Sequence, residues 1–241
     1  MAERLVIIPT YNEKENIQDI VTHVLGLTPD FHVLVVDDNS PDGTAEIVKD
    51  LQRQHHGRLH LLQRAGKQGL GTAYIAGFRW GLERGYAYLF EMDCDFSHNP
   101  EDLVRLRAAC AEGGADVAVG SRYTRGGKVE NWPWDRLLMS TFASIYVNAV
   151  LWLGVRDATA GFKCYRAEVL RTIDLARIRF VGYAFQIEMK HSARQLGFRI
   201  AEVPIRFIDR QVGESKMNMG IFREAFLGVL SMRFRPVKPA R

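Results

Sequence analysis

The sequence predicts an α/β fold built on a mostly parallel sheet that is flanked by helices. Three short, mainly apolar runs carry this prediction: residues 5–8, residues 33–36 and residues 88–92. Each run ends in a polar segment typical of a turn, and the first two precede side chains that recur at helical spacing. Short apolar strands that alternate with helices are typical of a parallel sheet covered on both faces.

The predicted elements follow one another along the chain. A first strand at residues 5–8 leads into the polar turn 9–13, and apolar residues then recur at helical spacing: Ile17, Ile20, Val21, Val24 and Leu25. A second strand at residues 33–36 leads into the acidic turn 37–43, which precedes a weaker helical pattern of Ala45, Val48 and Leu51. A glycine-rich turn at residues 64–73 then enters a third helix. Glycines let a backbone approach a ligand closely, and a helix N-terminus favours anions.

Two carboxylates, Asp93 and Asp95, follow the third apolar run, where a strand is expected to stop. Because side chains alternate along a strand, both should point the same way while Cys94 faces away. Magnesium and manganese are usually held by one or two carboxylates together with substrate phosphates. Ligands of such sheets bind beyond the carboxyl ends of the strands, where all three polar turns lie. The pattern therefore favours a nucleotide site with a divalent cation, although alone it is also typical of a solvated turn.

Composition narrows the class of protein. With 241 residues, of which 47% are hydrophobic, the chain can bury a full core. The net charge of +4 is only mildly basic, and no RNA-binding aromatic motif or recognition-helix pattern accompanies it, so nucleic acid is not an expected partner. Cys94, Cys110 and Cys164 have neither metal-ligand spacing nor a disulfide framework, which indicates a reducing cytosol. The first apolar run is too short for a secretion signal.

An uncharged stretch at residues 137–155 is long enough nearly to span a bilayer. However, Ser140, Ser144 and Asn148 are four residues apart and share one helical face. This spacing predicts an amphipathic helix over about residues 136–154, either packed on the core or lying at an interface.

A second amphipathic helix with a basic tail is predicted near the C-terminus. Its apolar stripe consists of Ile221, Phe222, Ala225, Phe226, Val229 and Leu230, and its tail carries Arg233, Arg235, Lys238 and Arg241. Such an element either docks on the domain or contacts a membrane surface.

Several segments together resemble glycosyltransferase family 2 and, more narrowly, the polyprenol-phosphate mannosyltransferases. They are P-T-Y-N-E from residue 9, V-D-D-N-S-P-D-G-T from residue 36, G-L-G-T-A from residue 69, M-D-C-D-F-S-H-N-P-E from residue 92, G-S-R-Y from residue 120, T-A-G-F-K-C-Y-R from residue 159, G-Y-A-F-Q-I-E-M from residue 182 and F-I-D-R-Q-V-G-E-S-K-M from residue 207. The resemblance implies a GT-A fold, with a catalytic domain at residues 1–217 and a C-terminal amphipathic helix and tail at residues 218–241.

The resemblance also implies roles for individual residues. The base and ribose of a sugar nucleotide would be held by Pro9, Tyr11, Glu13, Val36 and Asp38. Its diphosphate and the metal would be held around Met92, Asp93, Cys94 and Asp95, with Ser97 where other members have a metal-binding Gln. Arg122, Arg210 and Lys216 would surround the transferring phosphate groups. Together with Asp95 they would form the catalytic set. The acceptor phosphate would contact Arg122, Arg136 and Ser140.

The activity implied is transfer of mannose from GDP-mannose to a polyprenyl phosphate, with inversion and with Mg²⁺ or Mn²⁺. A phosphate oxygen is already anionic, so no catalytic His is required, and His98 is expected to shape a turn. Asp157 and Glu188 could contact sugar hydroxyls or could be buried structural groups. Residues 209–216 are expected to form a mobile loop that closes over the donor diphosphate.

Two alternatives stay open at this point. One is a polyprenyl-phosphate glucosyltransferase that uses UDP-glucose, and the other is a non-catalytic nucleotide-binding regulatory module. A lipid acceptor would place the protein in the cytoplasm, peripheral to the cytoplasmic face of a membrane. It would be held there by its own amphipathic helices or by a membrane-anchoring subunit.

Overall fold

The computed structural model describes residues 3–209 and 219–240 of the chain. The strands are β1 (Arg4–Thr10), β2 (His32–Asp37), β3 (Leu59–Gln63), β4 (Tyr88–Glu91), β5 (Val117–Ser121), β6 (Lys128–Glu130), β7 (Lys163–Arg166), β8 (Ile200–Pro204) and β9 (Arg206–Ile208). The helices are α1 (Ile17–Gly26), α2 (Thr44–Gln54), α3 (Leu70–Glu83), α4 (Asp102–Ala111), α5 (Trp134–Leu151), α6 (Ala167–Thr172), α7 (Tyr183–Gln195) and α8 (Met219–Phe234).

A seven-stranded sheet in the order β3-β2-β1-β4-β7-β5-β8 forms the centre of the molecule. The strands β3, β2, β1 and β4 are parallel, and β5 pairs in parallel with β8. Strand β7 is antiparallel to both of its neighbours, β4 and β5. The predicted α/β class with a mostly parallel sheet is therefore confirmed.

Successive residues of the first strands pack on opposite faces of the sheet, as the wholly apolar strands predicted. Val6 and Ile8 of β1 belong to a core cluster with α1, α2 and α4, whereas Leu5 and Ile7 belong to a second cluster with α3 and α7. Helix α3 lies very close to the sheet: a Cβ atom at Gly77 would be 2.6 Å from Cγ2 of Ile7. The glycine is therefore required for this packing.

The ends of the strands set the position of the site. In register, Thr10 of β1 lies beside Asp37 of β2, and Asp37 lies beside Gln63 of β3. Strand β4 is shorter, since its last residue, Glu91, pairs with Ile7. The chain after Glu91 can therefore run along the carboxyl edge of the sheet, where ligands of such folds bind.

The amphipathic helix predicted over about residues 136–154 is α5, which begins and ends slightly earlier. It follows Pro133 and ends at Leu151, and the next residue, Trp152, has a left-handed φ of 51°. The polar face of α5 points inward: Ser144 is buried, and the Asn148 carboxamide donates to the Val155 carbonyl at 2.7 Å. A third core cluster joins α5 to α7 and α8. None of the helices in the described part of the chain is long and apolar enough to cross a bilayer.

Candidate active site

The loops after β1 and β2 are bound to each other by a buried carboxylate. Asp37 accepts hydrogen bonds from the Thr10 hydroxyl at 2.9 Å and from the Ser40 hydroxyl at 2.6 Å. The Ser40 hydroxyl oxygen in turn accepts the backbone N–H of Asn12 at 3.0 Å. These bonds fix the relative position of two of the three polar turns, so Asp37 has a structural role that the sequence pattern did not reveal.

A second bond joins the same two loops at the base of α2. The Thr44 hydroxyl donates to Asp42 at 2.6 Å and accepts the backbone N–H of Glu13 at 3.1 Å. These bonds therefore hold together the two loops that carry the residues expected to bind a base and ribose. Pro9 and Tyr11 are half-buried there, whereas Val36 is fully buried.

Asp38, the next residue of this set, forms a buried pair with Arg64. The guanidinium donates to both carboxylate oxygens, at 2.6 and 2.7 Å, and its third nitrogen donates to the Thr72 hydroxyl at 2.7 Å. Bidentate pairs of this kind hold their geometry well. The pair attaches the glycine-rich turn to the end of β2. Arg64 directly follows β3, at the same edge of the sheet. Its position after a strand is the sequence feature that could have identified it as a site residue.

Asp93 and Asp95 lie just beyond β4 and are half-buried, while Cys94 between them points into the core. The alternation that the sequence predicted is therefore present. The Tyr74 hydroxyl donates to Asp93 at 3.3 Å, and the Ser97 backbone N–H donates to Asp95 at 3.0 Å. Ser97 thus contacts Asp95 through its backbone.

The two carboxylates fit a hard divalent cation as part of a larger ligand set. Within residues 3–209 and 219–240, no three His, Cys, Asp or Glu side chains are grouped so that they could hold a metal alone. Mg²⁺ and Mn²⁺ accept one or two carboxylates and complete their coordination with phosphate oxygens and water. Asp93 and Asp95 are therefore suited to a cation that arrives together with a diphosphate.

A buried ion pair lies at the end of β4, just before the segment that carries Asp93 and Asp95. The Lys163 ammonium is 3.1 Å from Glu91, the two residues are paired across β7 and β4, and neither side chain is exposed. The Tyr165 hydroxyl also donates to Glu91 at 3.0 Å, and Lys163 donates to Gln186. Burial lowers the pKa of Lys163, and the neighbouring Glu91 opposes that shift. The pair anchors the strand from which Asp93 and Asp95 emerge.

Arg122 follows β5 and is bound to a buried carboxylate. It donates to the two oxygens of Asp157, each at 2.7 Å, and to the Thr159 hydroxyl at 2.8 Å. Burial disfavours ionisation of Asp157, but the hydrogen bonds and charge of Arg122 outweigh it and hold the pKa of that carboxyl below its ordinary value. Asp157 therefore acts as the support of Arg122. Glu188 is also committed to structure, since it accepts the backbone N–H groups of Arg179 and Phe180.

Arg136 lies in the first turn of α5, with half-buried Ser140 one turn further on. Its guanidinium donates to Asp209 at 2.8 Å and stacks on the Trp132 ring, 4.2 Å from the ring centroid. The predicted catalytic residues Arg210 and Lys216, and the predicted loop after Asp209, lie outside the described residues.

His98 is buried between Phe162 and Phe207, whose ring centroids are 4.8 and 5.2 Å from its own. Burial lowers the pKa of His98 to about 4. The imidazole is therefore neutral near pH 7, and its backbone bridge to Phe207 gives it a place in the packing of the turn.

This fold and this arrangement of carboxylates and arginines are compatible with a glycosyl transferase. The chain belongs to Glycosyl transferase family 2, whose sequence pattern matches residues 5–174.

Two curated relatives are similar over nearly the whole chain. One is the polyprenol monophosphomannose synthase of Mycolicibacterium smegmatis, which is 50% identical over 96% of this chain and 87% of its own length. The other is the undecaprenyl-phosphate mannosyltransferase of Micrococcus luteus, which is 49% identical over 93% of this chain and 91% of its own.

Solved structures with the same fold include glucosyl-3-phosphoglycerate synthase from Mycobacterium tuberculosis in complex with Mn²⁺, UDP and glucosyl-3-phosphoglycerate. The TM-score is 0.71 at 15% identity, over 98% of this chain and 81% of that one. A complex of the same enzyme with Mg²⁺ and UDP also gives a TM-score of 0.71, at 15% identity over 98% of this chain and 80% of that one. At this identity the likeness shows the fold alone.

Proposed function

We propose that this protein transfers mannose from GDP-mannose to a polyprenyl phosphate, with inversion at the anomeric carbon. The observation that carries the proposal is the half-buried pair Asp93 and Asp95 beyond β4, at the sheet edge where the loops after β1 and β2 are bound together. The two curated mannosyltransferases that are about half identical to this chain support the choice of sugar and acceptor.

The proposed reaction joins two anionic partners. Asp93 and Asp95 would hold a divalent cation, Mg²⁺ or Mn²⁺, which supplies positive charge to the departing diphosphate. Arg122, together with Arg210 and Lys216 from the resemblance, would stabilise the charge that develops there. The acceptor phosphate oxygen is already anionic, so it can attack the anomeric carbon without a protein base. Attack in line with departure gives a β-linked product from an α-linked donor.

An exposed apolar surface of the protein supports the proposal of a lipid acceptor. We define the interfacial face as the exposed apolar side chains of α5 and α8, with Trp134, Phe142, Ile145, Trp152, Phe226, Leu227, Leu230 and Phe234. Trp134, Trp152 and Phe234 are 75%, 71% and 85% exposed. The Tyr146 and Phe226 rings, stacked with centroids 4.5 Å apart, connect the two helices.

The interfacial face suits peripheral attachment to a membrane. Burial of one Phe or Leu contributes about 1.5–3 kcal/mol, and one Arg near an anionic leaflet contributes about 1 kcal/mol. Arg233 stands at this face, with its guanidinium 4.2 Å from the centroid of the Trp152 ring. The lipid tail of the acceptor would stay in the bilayer while its phosphate reaches Arg136 at the start of α5. A membrane-anchoring subunit is the alternative occupant of the same face.

Arg136→Ala should weaken use of the polyprenyl phosphate much more than binding of GDP-mannose. The change removes a cation at the acceptor end of the site and leaves the loops after β1 and β2 untouched, so the KM for the lipid should rise about tenfold or more. Steady-state kinetics with each substrate varied in turn would measure this. The matched control is Arg156→Ala, beyond the other end of α5, whose side chain is exposed. Equal losses toward donor and acceptor would place Arg136 in the donor site.

A panel of donors tests the proposed sugar directly. The protein is incubated with polyprenyl phosphate and with GDP-mannose, UDP-glucose or UDP-N-acetylglucosamine, and release of the nucleoside diphosphate is measured. We expect release from GDP-mannose only. Release from UDP-glucose instead would establish the glucosyltransferase alternative, and binding of a nucleotide without release from any donor would indicate a regulatory module.

A further inference from the structure

Trp132 lies between β6 and α5, and two guanidinium groups lie close to its ring. The Arg136 Cζ atom is 4.2 Å from the centroid of its ring, and the Arg122 Cζ atom is 5.3 Å from it. The face of an indole attracts cations more strongly than that of any other side chain. Two like charges therefore share Trp132 as a contact.

The two guanidinium groups differ in how firmly they are held by carboxylates. Arg122 makes a bidentate pair with Asp157, which is fully buried. Arg136 donates from one nitrogen to Asp209, and the two side chains are 25% and 28% exposed. An anion that enters the cluster can therefore compete for Arg136 while Arg122 keeps its support.

Hydrogen-bonding capacity in this cluster is unused. The Nε1 of Trp132, the Nε of Arg136 and the hydroxyl oxygen of Tyr123 are shielded from solvent, and no residue in the described part of the chain bonds to them. Nearly all buried polar groups in folded proteins have a hydrogen-bond partner, so three such atoms in one cluster require an explanation. The Tyr123 ring belongs to the cluster because it lies 5.1 Å from Arg122. An indole N–H is only a donor, so what Trp132 lacks is an acceptor atom.

We propose that Trp132 is a further binding residue for the phosphate group of the acceptor. Its indole N–H donates a hydrogen bond to an anionic phosphate oxygen, and its ring keeps Arg122 and Arg136 in position for the same group. A phosphate monoester offers several anionic oxygens and thus satisfies the orphaned N–H groups of Trp132 and Arg136 together. This inference rests on the proposed function, because it assumes a lipid phosphate as the acceptor.

Binding is tested with a short, soluble isoprenyl monophosphate, in the presence of GDP and Mg²⁺, by calorimetry. Trp132→Phe keeps an aromatic ring but removes the N–H, and we expect binding about tenfold weaker than in the wild type. Trp80→Phe is the matched control, since Trp80 packs on His60 and Arg84 at α3 and belongs to neither the cluster nor the interfacial face, and it should bind like the wild type. The affinity for GDP should be the same in all three proteins, which also reports that the fold is intact.

A second measurement observes the proposed donor without any substitution. The chain has four tryptophans, so ¹⁵N-indole labelling gives a small set of N–H resonances, and Trp132→Phe identifies one of them. Isoprenyl monophosphate should move the Trp132 resonance downfield, and the corresponding isoprenyl alcohol should leave it unmoved. Equal affinity in wild type and Trp132→Phe, or a Trp132 resonance unmoved at saturation, would overturn the inference. If the wild type does not bind the isoprenyl monophosphate at all, the proposed function itself fails.

Discussion

Asp95→Asn should abolish metal-dependent sugar transfer and leave the fold intact. The amide keeps the shape of the side chain and can still accept the hydrogen bond from the Ser97 backbone, so the turn after β4 is preserved. The change removes the negative charge that a divalent cation requires, and we expect turnover to fall by about 10²–10³-fold or more. Turnover measured across a range of Mg²⁺ and Mn²⁺ concentrations checks this, and circular dichroism with thermal unfolding confirms the fold.

The matched control for this prediction is Asp50→Asn. Asp50 is an exposed residue of α2 whose carboxylate pairs with Arg53 at 3.0 Å. The substitution therefore removes the same carboxylate charge at a position outside the candidate site. The control should be as active as the wild type. Near-normal metal-dependent turnover in Asp95→Asn would show that Asp95 is not a metal ligand.

Lys163→Met should be among the most destabilising single substitutions in this chain. In the structure, Lys163 and the Tyr165 hydroxyl both donate to the Glu91 carboxylate. The substitution leaves this carboxylate buried with the Tyr165 hydroxyl as its remaining donor. Removal of one partner from a buried ion pair typically costs about 3–5 kcal/mol in the free energy of unfolding. Urea denaturation of the purified variant measures this cost, and an unchanged slope of the transition would show that the shift in midpoint is a change in stability.

Two further proteins make the Lys163 prediction specific. Lys49→Met removes an exposed partner of Glu46, with the two atoms 3.4 Å apart, and should cost less than about 1 kcal/mol. Lys163→Met combined with Glu91→Gln should be less destabilised than the sum of the two single variants, because the double variant buries no unpaired charge. A small effect of Lys163→Met, or strict additivity, would contradict the assignment of a buried charged pair.

The features that the sequence predicted well are local ones. Two apolar residues per face of β1 and β2 predicted a sheet covered on both sides, and the alternation around Cys94 predicted which way Asp93 and Asp95 point. The polar residues at four-residue spacing in α5 predicted an amphipathic helix, and in the structure Ser144 is buried and Asn148 donates to Val155. In each case the information lies within a few residues of chain.

The features that it did not predict depend on contacts between distant segments. Strand β7 lies between β4 and β5 and runs antiparallel to both, so nothing near Lys163 in the chain indicates that it faces Glu91. The adjacent residues Asp37 and Asp38 look alike in the sequence, yet one joins two loops and the other binds Arg64. The sequence pattern did not single out Trp132, because Arg122, one of the two cations on its ring, is ten residues away in the chain.

The central claim is tested most directly by sugar transfer to a lipid phosphate in a purified system. The wild type is incubated with GDP-mannose labelled in the sugar, polyprenyl phosphate and Mg²⁺ or Mn²⁺, and the label in the organic extract is counted. We expect lipid-bound label that requires the metal and the phosphate group, is absent with free polyprenol, and is lost in Asp95→Asn. Absence of lipid-bound label in the wild type, or equal labelling of free polyprenol, would contradict the claim.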